Sequence, residues 1–157
     1  MEITELISPE AVVPHLKPAS KKQLLQELAN RAAALTGLPE RRIFETLVER
    51  ERLGTTGMGQ GIAIPHGRLA DIEKITGLFA RLDQPIDYDA VDDEPVDLVF
   101  LLLAPEGAGA DHLKALARVS RLLRNPAICE KLRAASTPAA VYSLLTEPMA
   151  TASSQAA

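Results

Sequence analysis

The sequence holds a single cysteine, no tryptophan and few aromatic residues of any kind. Cys129 alone cannot form an intramolecular disulfide or a zinc site of CxxC spacing. Three phenylalanines and two tyrosines leave the core to aliphatic side chains. No apolar run is long enough to span a bilayer: the longest, Val96 to Ala104, is interrupted by Asp97. There is no excess of positive charge. The formal net charge is −4, against the basic balance of a general nucleic-acid binder, so no nucleic-acid partner is expected. The first ten residues, MEITELISPE, lack the basic flank and apolar stretch of a signal peptide. Together these absences describe a soluble cytoplasmic protein without membrane insertion. At 157 residues it is long enough to bury a core without disulfides or structural metals.

What is present reads as alternating helices and strands. Residues 1–19 are broken by Pro9, Pro14 and Pro18 and read as irregular, with a short strand around Val12–Leu16. Ser20 caps a helix from Lys21 to about Leu35, with Gln23 in the capping-box position and Leu24, Leu25, Leu28, Ala32 and Leu35 on one stripe. Gly37 stops that helix, and Pro39 opens a second that ends near Arg50–Leu53. Lys74–Leu82 reads as a strand, turned by Asp83-Gln84-Pro85 into an acidic connection. Val96–Leu103 is almost continuously apolar, the pattern of a strand covered on both faces. A third helix runs from about Asp111 to Arg124, with His112, Leu116, Val119 and Leu123 on one side. Two short helices follow, 127–134 and from Pro138 to Leu145, and the small polar tail 147–157 is expected to be disordered. The expectation is an α/β fold with helices on both faces of a mixed β-sheet.

The chemistry concentrates between Arg50 and Arg68. Gly54, Gly57, Gly59 and Gly61 precede a short strand, Ile62–Ile64, which delivers His66 to a bend between Pro65 and Gly67. Pro65 stiffens the backbone before the imidazole. Gly67 removes a Cβ beside it and opens the approach to another molecule. The glycines would offer backbone N–H groups in an anion-binding nest. A neutral imidazole there is a nucleophile at ordinary pH, although a lone histidine after a strand is most often only a turn residue. The glycines do not form a dinucleotide fingerprint, because they follow a helix and lead into a strand. No GK[ST], G-x-S-x-G, HxxxH or HExxH pattern occurs, so nucleotide, acyl-transfer and catalytic-metal sites have no support, and no cofactor is expected.

Two further residues complete the candidate set. His112 lies in the first turn of its helix, where the dipole disfavours a positive ring; a core histidine is the bland alternative. Arg50 opens the glycine-rich stretch and is suited to grip phosphoryl oxygens bidentately, although Arg50 and Arg52 with Glu49 and Glu51 read equally well as a solvated face. Arg68 is the weaker basic candidate, a residue for partner contact. His15, between two prolines, receives no role.

The blocks RERLGTTGMGQGIAIPHGR and AGADHLKALARVSRLL resemble the IIA domains of the bacterial phosphotransferase system, in the fructose/mannitol/nitrogen-regulatory class. YDAVDDEPVDLVF and ICEKLRAA resemble the nitrogen-regulatory branch. The resemblance implies a type-2 EIIA domain over residues 1–146 with a three-layer α/β/α sandwich. It implies that His66 accepts a phosphoryl group on Nε2 from a histidine-phosphorylated carrier protein, with His112 and Arg50 as the other active-site residues. It further implies regulation of target proteins such as potassium-transport or sensor-kinase proteins. The alternatives are a sugar-specific IIA that hands phosphate to a IIB domain, and a binding module without catalysis.

Overall fold

The computed structural model describes residues 1–147; residues 148–157, most of the tail expected to be disordered, lie outside the described residues. Its architecture is the expected three-layer α/β/α sandwich. Six helices, α1 (Ile3–Leu6), α2 (Lys21–Thr36), α3 (Glu40–Arg52), α4 (Ala110–Leu123), α5 (Pro126–Ala134) and α6 (Pro138–Thr146), surround a sheet of six strands: β1 (Val12–Leu16), β2 (Gly57–Gly59), β3 (Ile62–Ala63), β4 (His66–Leu69), β5 (Thr76–Ile86) and β6 (Val96–Pro105). The strand order is β1-β5-β6-β3-β2, with β4 also paired to β6. Helices α2 and α3 pack together on one side, and α1, α4, α5 and α6 form the other helical layer. No helix among the described residues is long and apolar enough to cross a membrane.

Strand β6 is the centre of the sheet, as its apolar run predicts. Antiparallel β5 lies along one edge, and parallel β3 and β4 follow each other along the other. Every side chain from Leu98 to Ala104 is buried, most of them completely. The join between β3 and β4 is Ile64-Pro65. Proline has no N–H for the ladder, but its carbonyl still accepts from Leu102 N–H at 3.0 Å. Two short strands therefore run as one broken strand beside β6.

The helix boundaries agree with the sequence reading to within a residue or two. Ser20 Oγ accepts from Gln23 N–H at 3.1 Å, and Gln23 returns its side chain to the amide of Ala19. Two segments differ from expectation. The first nineteen residues are not irregular: they hold α1, a 3-10 turn at Pro9–Ala11 and β1. Pro14 is tolerated because β1 is an edge strand. Asp83-Gln84-Pro85 is not a turn either. Strand β5 runs through it to Ile86, with an irregular register between Arg81 and Ile86. Asp83 is held there by His15 and Arg81, which tie this end of β5 to β1.

Candidate functional site

The glycine-rich stretch forms a hairpin. Strand β2 pairs antiparallel with β3, and Gln60-Gly61 makes the two-residue turn, with φ of 58° and 81°. Consecutive positive φ values are what a type I′ hairpin turn requires. The expected four-glycine anion nest is not free as a whole, because amides along the stretch are already engaged. Gly54 N–H donates to the Glu51 carbonyl, Gly57 N–H to Thr55 Oγ1 and Gln60 N–H to the Asp92 carboxylate. The hairpin instead sets β3 against β6 and so fixes where β4 begins.

His66 is the first residue of β4, level with Leu102 of β6. It is half-buried rather than displayed on a bend. The space that Gly67 leaves open is filled from within the molecule: a Cβ on Gly67 would meet Thr46 Cγ2 at 2.6 Å. Helix α3 therefore lies close against β4, which brings its last turn, and Arg50, beside the imidazole.

The partners of His66 define its protonation. Its Nδ1 is 2.8 Å from the Ile64 carbonyl, and Arg50 Nε–H donates to its Nε2 at 3.2 Å. A carbonyl only accepts, so Nδ1 carries the proton. Nε2 is left with the lone pair. Burial holds this ring below the usual imidazole range, and the neighbouring Arg50 charge acts in the same direction; the Ile64 contact and Glu51 oppose the shift. Arg50 also donates from Nη1 to the Gly54 carbonyl at 2.8 Å, so one guanidinium ties the imidazole to the loop.

His112 reaches the same place from the other side. Strand β6 ends at Pro105, and the following loop turns the chain back into α4, so the first turn of that helix returns towards His66. The two rings stand edge to face with centroids 5.6 Å apart and do not hydrogen-bond to each other. His112 is 5% exposed. Arg68 Nε–H donates to its Nδ1 at 3.1 Å, which puts the proton of the neutral ring on Nε2. That Nε2 is buried and has no hydrogen-bond partner among the described residues. Burial, then the charges of His66 and Arg68, lower the affinity of His112 for a second proton. Along α4, Ala115, Val119 and Leu123 face the core with His112, while Leu116 is only half-buried and lines the site.

The three residues singled out from the sequence, His66, His112 and Arg50, line one open recess of about 560 Å³, together with Arg68, Leu53 and Leu113. The contact of Arg68 with His112 has no signal in the sequence: no local pattern shows that a strand residue will meet a helix residue 44 positions later. Leu53 and Leu113 are 85% and 64% exposed, so the rim of the recess is apolar. The site thus offers one lone pair, two guanidinium groups and an unpartnered N–H donor, a set suited to a tetrahedral anion.

Residues 5–147 match the family model for the EIIA 2 component of the phosphoenolpyruvate-dependent sugar phosphotransferase system. The chain belongs to this EIIA 2 family. Among similar chains of known name, a nitrogen regulatory protein of Bradyrhizobium diazoefficiens is 64% identical over 152 residues, covering 97% of this chain and 99% of that one. A nitrogen regulatory protein of Klebsiella oxytoca is 38% identical over 148 residues, covering 94% and 91%. The crystal structure of the nitrogen regulatory protein IIA-Ntr from Neisseria meningitidis superposes with a TM-score of 0.87 at 38% identity, covering 92% of this EIIA 2 chain and 99% of that one. The resemblance read from the PHG and DHL blocks is therefore that of a phosphotransfer component similar to the nitrogen regulatory proteins.

Proposed function

We propose that this chain is a cytoplasmic phosphocarrier of the nitrogen-regulatory phosphotransferase system, and that His66 Nε2 takes a phosphoryl group from the phosphohistidine of a small carrier protein. The observation that carries the reading is the bond from His66 Nδ1–H to the Ile64 carbonyl, which leaves the Nε2 lone pair facing an arginine-flanked recess. Nε2 attacks phosphorus in line as the donor's N–P bond breaks. The bonding pair returns to the donor's imidazole nitrogen, and the proton on His66 Nδ1 stays in place. One N–P bond replaces another, so the exchange is close to balanced, and the work of the protein is positioning and charge stabilisation.

Arg50 has two successive tasks in this mechanism. In the free protein its Nε–H caps the lone pair that must attack. A covalent N–P bond is shorter than that hydrogen bond, so phosphorus takes the space where the guanidinium now stands. Arg50 swings off Nε2 and meets the equatorial oxygens. Arg68 adds a second positive charge, and His112 gives its unpartnered Nε2–H to a phosphoryl oxygen. The exposed Leu53 and Leu113 at the rim suit a protein donor rather than a small molecule. Phosphorylation adds close to two negative charges to this surface. That change lets the two states bind regulatory targets differently, the family expectation being potassium-transport or sensor-kinase proteins.

The test is incubation with phosphoenolpyruvate, enzyme I and either a nitrogen-branch or a sugar-branch carrier. Wild type acquires one acid-labile phosphate, faster from the nitrogen-branch carrier, and His66→Ala acquires none. Full labelling of His66→Ala sinks the site, and faster transfer from the sugar-branch carrier with onward passage to a IIB domain makes this a sugar component.

A further inference from the structure

Glu51 follows Arg50 in the last turn of α3, where the sequence allowed a solvated acidic face. Its side chain is instead only 7% exposed. One carboxylate oxygen accepts from Lys21 Nζ at 2.9 Å and from the Thr56 backbone N–H at 3.0 Å. The other accepts from the Thr56 hydroxyl. That hydroxyl also lies 3.0 Å from the Tyr88 OH, and the Lys21 ammonium sits 4.4 Å from the centre of the Tyr88 ring. The hydrogen bonds continue from Thr56 towards the site. The Thr56 carbonyl accepts from Ile64 N–H at 3.1 Å, and the Ile64 carbonyl accepts from His66 Nδ1–H at 2.8 Å.

We propose that Glu51 is a positioning residue for His66: through Thr56 and Ile64 it holds the carbonyl that keeps the imidazole proton on Nδ1 and the lone pair on Nε2. The inference rests on the phosphocarrier reading above. Its physical basis is the tautomer balance of a neutral imidazole, which follows the better acceptor. If the Ile64 carbonyl retreats, the proton is free to occupy Nε2, and the nucleophile is lost. Ile64 lies at the break between β3 and β4, and the next residue, Pro65, has no N–H with which to anchor the segment. The N–H of Ile64 is fastened to Thr56, and Thr56 closes the loop after α3, where Glu51 is its side-chain anchor. A carboxylate suits this post because it accepts several donors at once; an amide presents donors of its own to Thr56. Consecutive residues of one helix thus govern the two nitrogens of one ring, Arg50 directly at Nε2 and Glu51 through the backbone at Nδ1. Metal-bound histidines are held in a comparable way, and loss of such outer partners costs about 10–100-fold in function.

The test uses Glu51→Gln, which preserves shape, and Glu51→Asp, which keeps the charge but withdraws it from Thr56 by one methylene. Imidazole ¹⁵N spectra of the unphosphorylated proteins report the His66 tautomer. Single-turnover transfer at rising concentrations of phosphorylated carrier separates the maximal transfer rate (here kcat) from the carrier concentration at half-maximal rate (here KM). Wild type is expected to show the Nδ1–H form. In both variants the Nε2–H form gains population, and kcat falls about 10–100-fold with KM for the carrier unchanged. Should one variant fail to fold, the other carries the same expectation. A wild-type tautomer with wild-type kcat in a folded variant overturns the proposal, as does a loss that appears only in KM. The tautomer is read without any phosphoryl donor. A failure of wild type to accept phosphate therefore refutes the phosphocarrier reading and leaves the relay separately testable.

Discussion

His15 and His66 are both tied at both ring nitrogens, yet their partners differ in kind. His15 has Asp83 Oδ1 at 2.9 Å from Nδ1 and the Ser136 carbonyl at 2.9 Å from Nε2. Both neighbours are acceptors, and no donor stands at either nitrogen to hold a lone pair in place. His66 has an acceptor at Nδ1 and a donor, Arg50, at Nε2. That polarity leaves the proton on Nδ1 and the lone pair on Nε2. His15 bridges strands and the link between α5 and α6, and its environment is a clasp. The comparison shows that the donor or acceptor character of the neighbours, more than the number of contacts, decides whether an imidazole keeps its lone pair on one set nitrogen.

The largest expected effect that sharpens this contrast comes from removing the donor at Nε2. Arg50→Ala slows phosphoryl acceptance by on the order of 10²–10³, measured as single-turnover transfer from a phosphorylated carrier, because one charged group on the equatorial oxygens is lost. A rate within a few-fold of wild type would leave Arg50 as a loop tether only. Gly67→Ala acts through packing. The new methyl meets Thr46 at 2.6 Å, so α3 is pushed from β4, with an expected loss of about 1–3 kcal/mol by chemical denaturation and slower transfer as Arg50 shifts from His66.

A subtler effect appears with pH. His66 and His112 hold their protons less tightly when folded than in the unfolded chain, chiefly through burial. Below about pH 6.5 and down to their depressed folded values, the unfolded state binds more protons, so stability falls as pH drops through that window. Urea midpoints between pH 7 and pH 5 are expected to decline, and the advantage of wild type over His112→Gln to narrow as pH falls. An advantage that widens towards acid contradicts the neutral, buried His112. His15→Ala is expected to do least. Transfer stays at the wild-type rate, and stability falls only slightly as the solvent-exposed clasp to Asp83 and Ser136 opens. A large rate loss in that variant would break the distinction between the two histidines.

Much of this was legible in the chain. The stripe Leu24, Leu25, Leu28, Ala32 and the Ser20 cap describe α2 because they depend on neighbours three or four residues away. The apolar run of β6 announces a central strand for a similar reason. The PHG block picked out His66, helix and loop context put forward His112 and Arg50, and the family resemblance matched all three, which line one recess. Other readings failed where a local signal met a tertiary constraint. Pro85 and Pro14 looked like interruptions, yet a sheet edge and an irregular register accommodate both. Gly67 looked like an opening for a partner, and Thr46 of α3 fills it. Glu51 looked solvated, and the fold buries it against Lys21 and Thr56.

The sequence by itself therefore determined the helices, the central strand, the family and the candidate site residues, since each is written in spacing and motif within one element. Tertiary structure alone decided which nitrogen of His66 keeps its lone pair, that Arg68 meets His112, and that Glu51 stands behind the imidazole. Those facts are distances between elements. They are set by the register of β4 on β6 and by how closely α3 can approach β4, and a one-residue slip in that register would turn every β4 side chain to the other face.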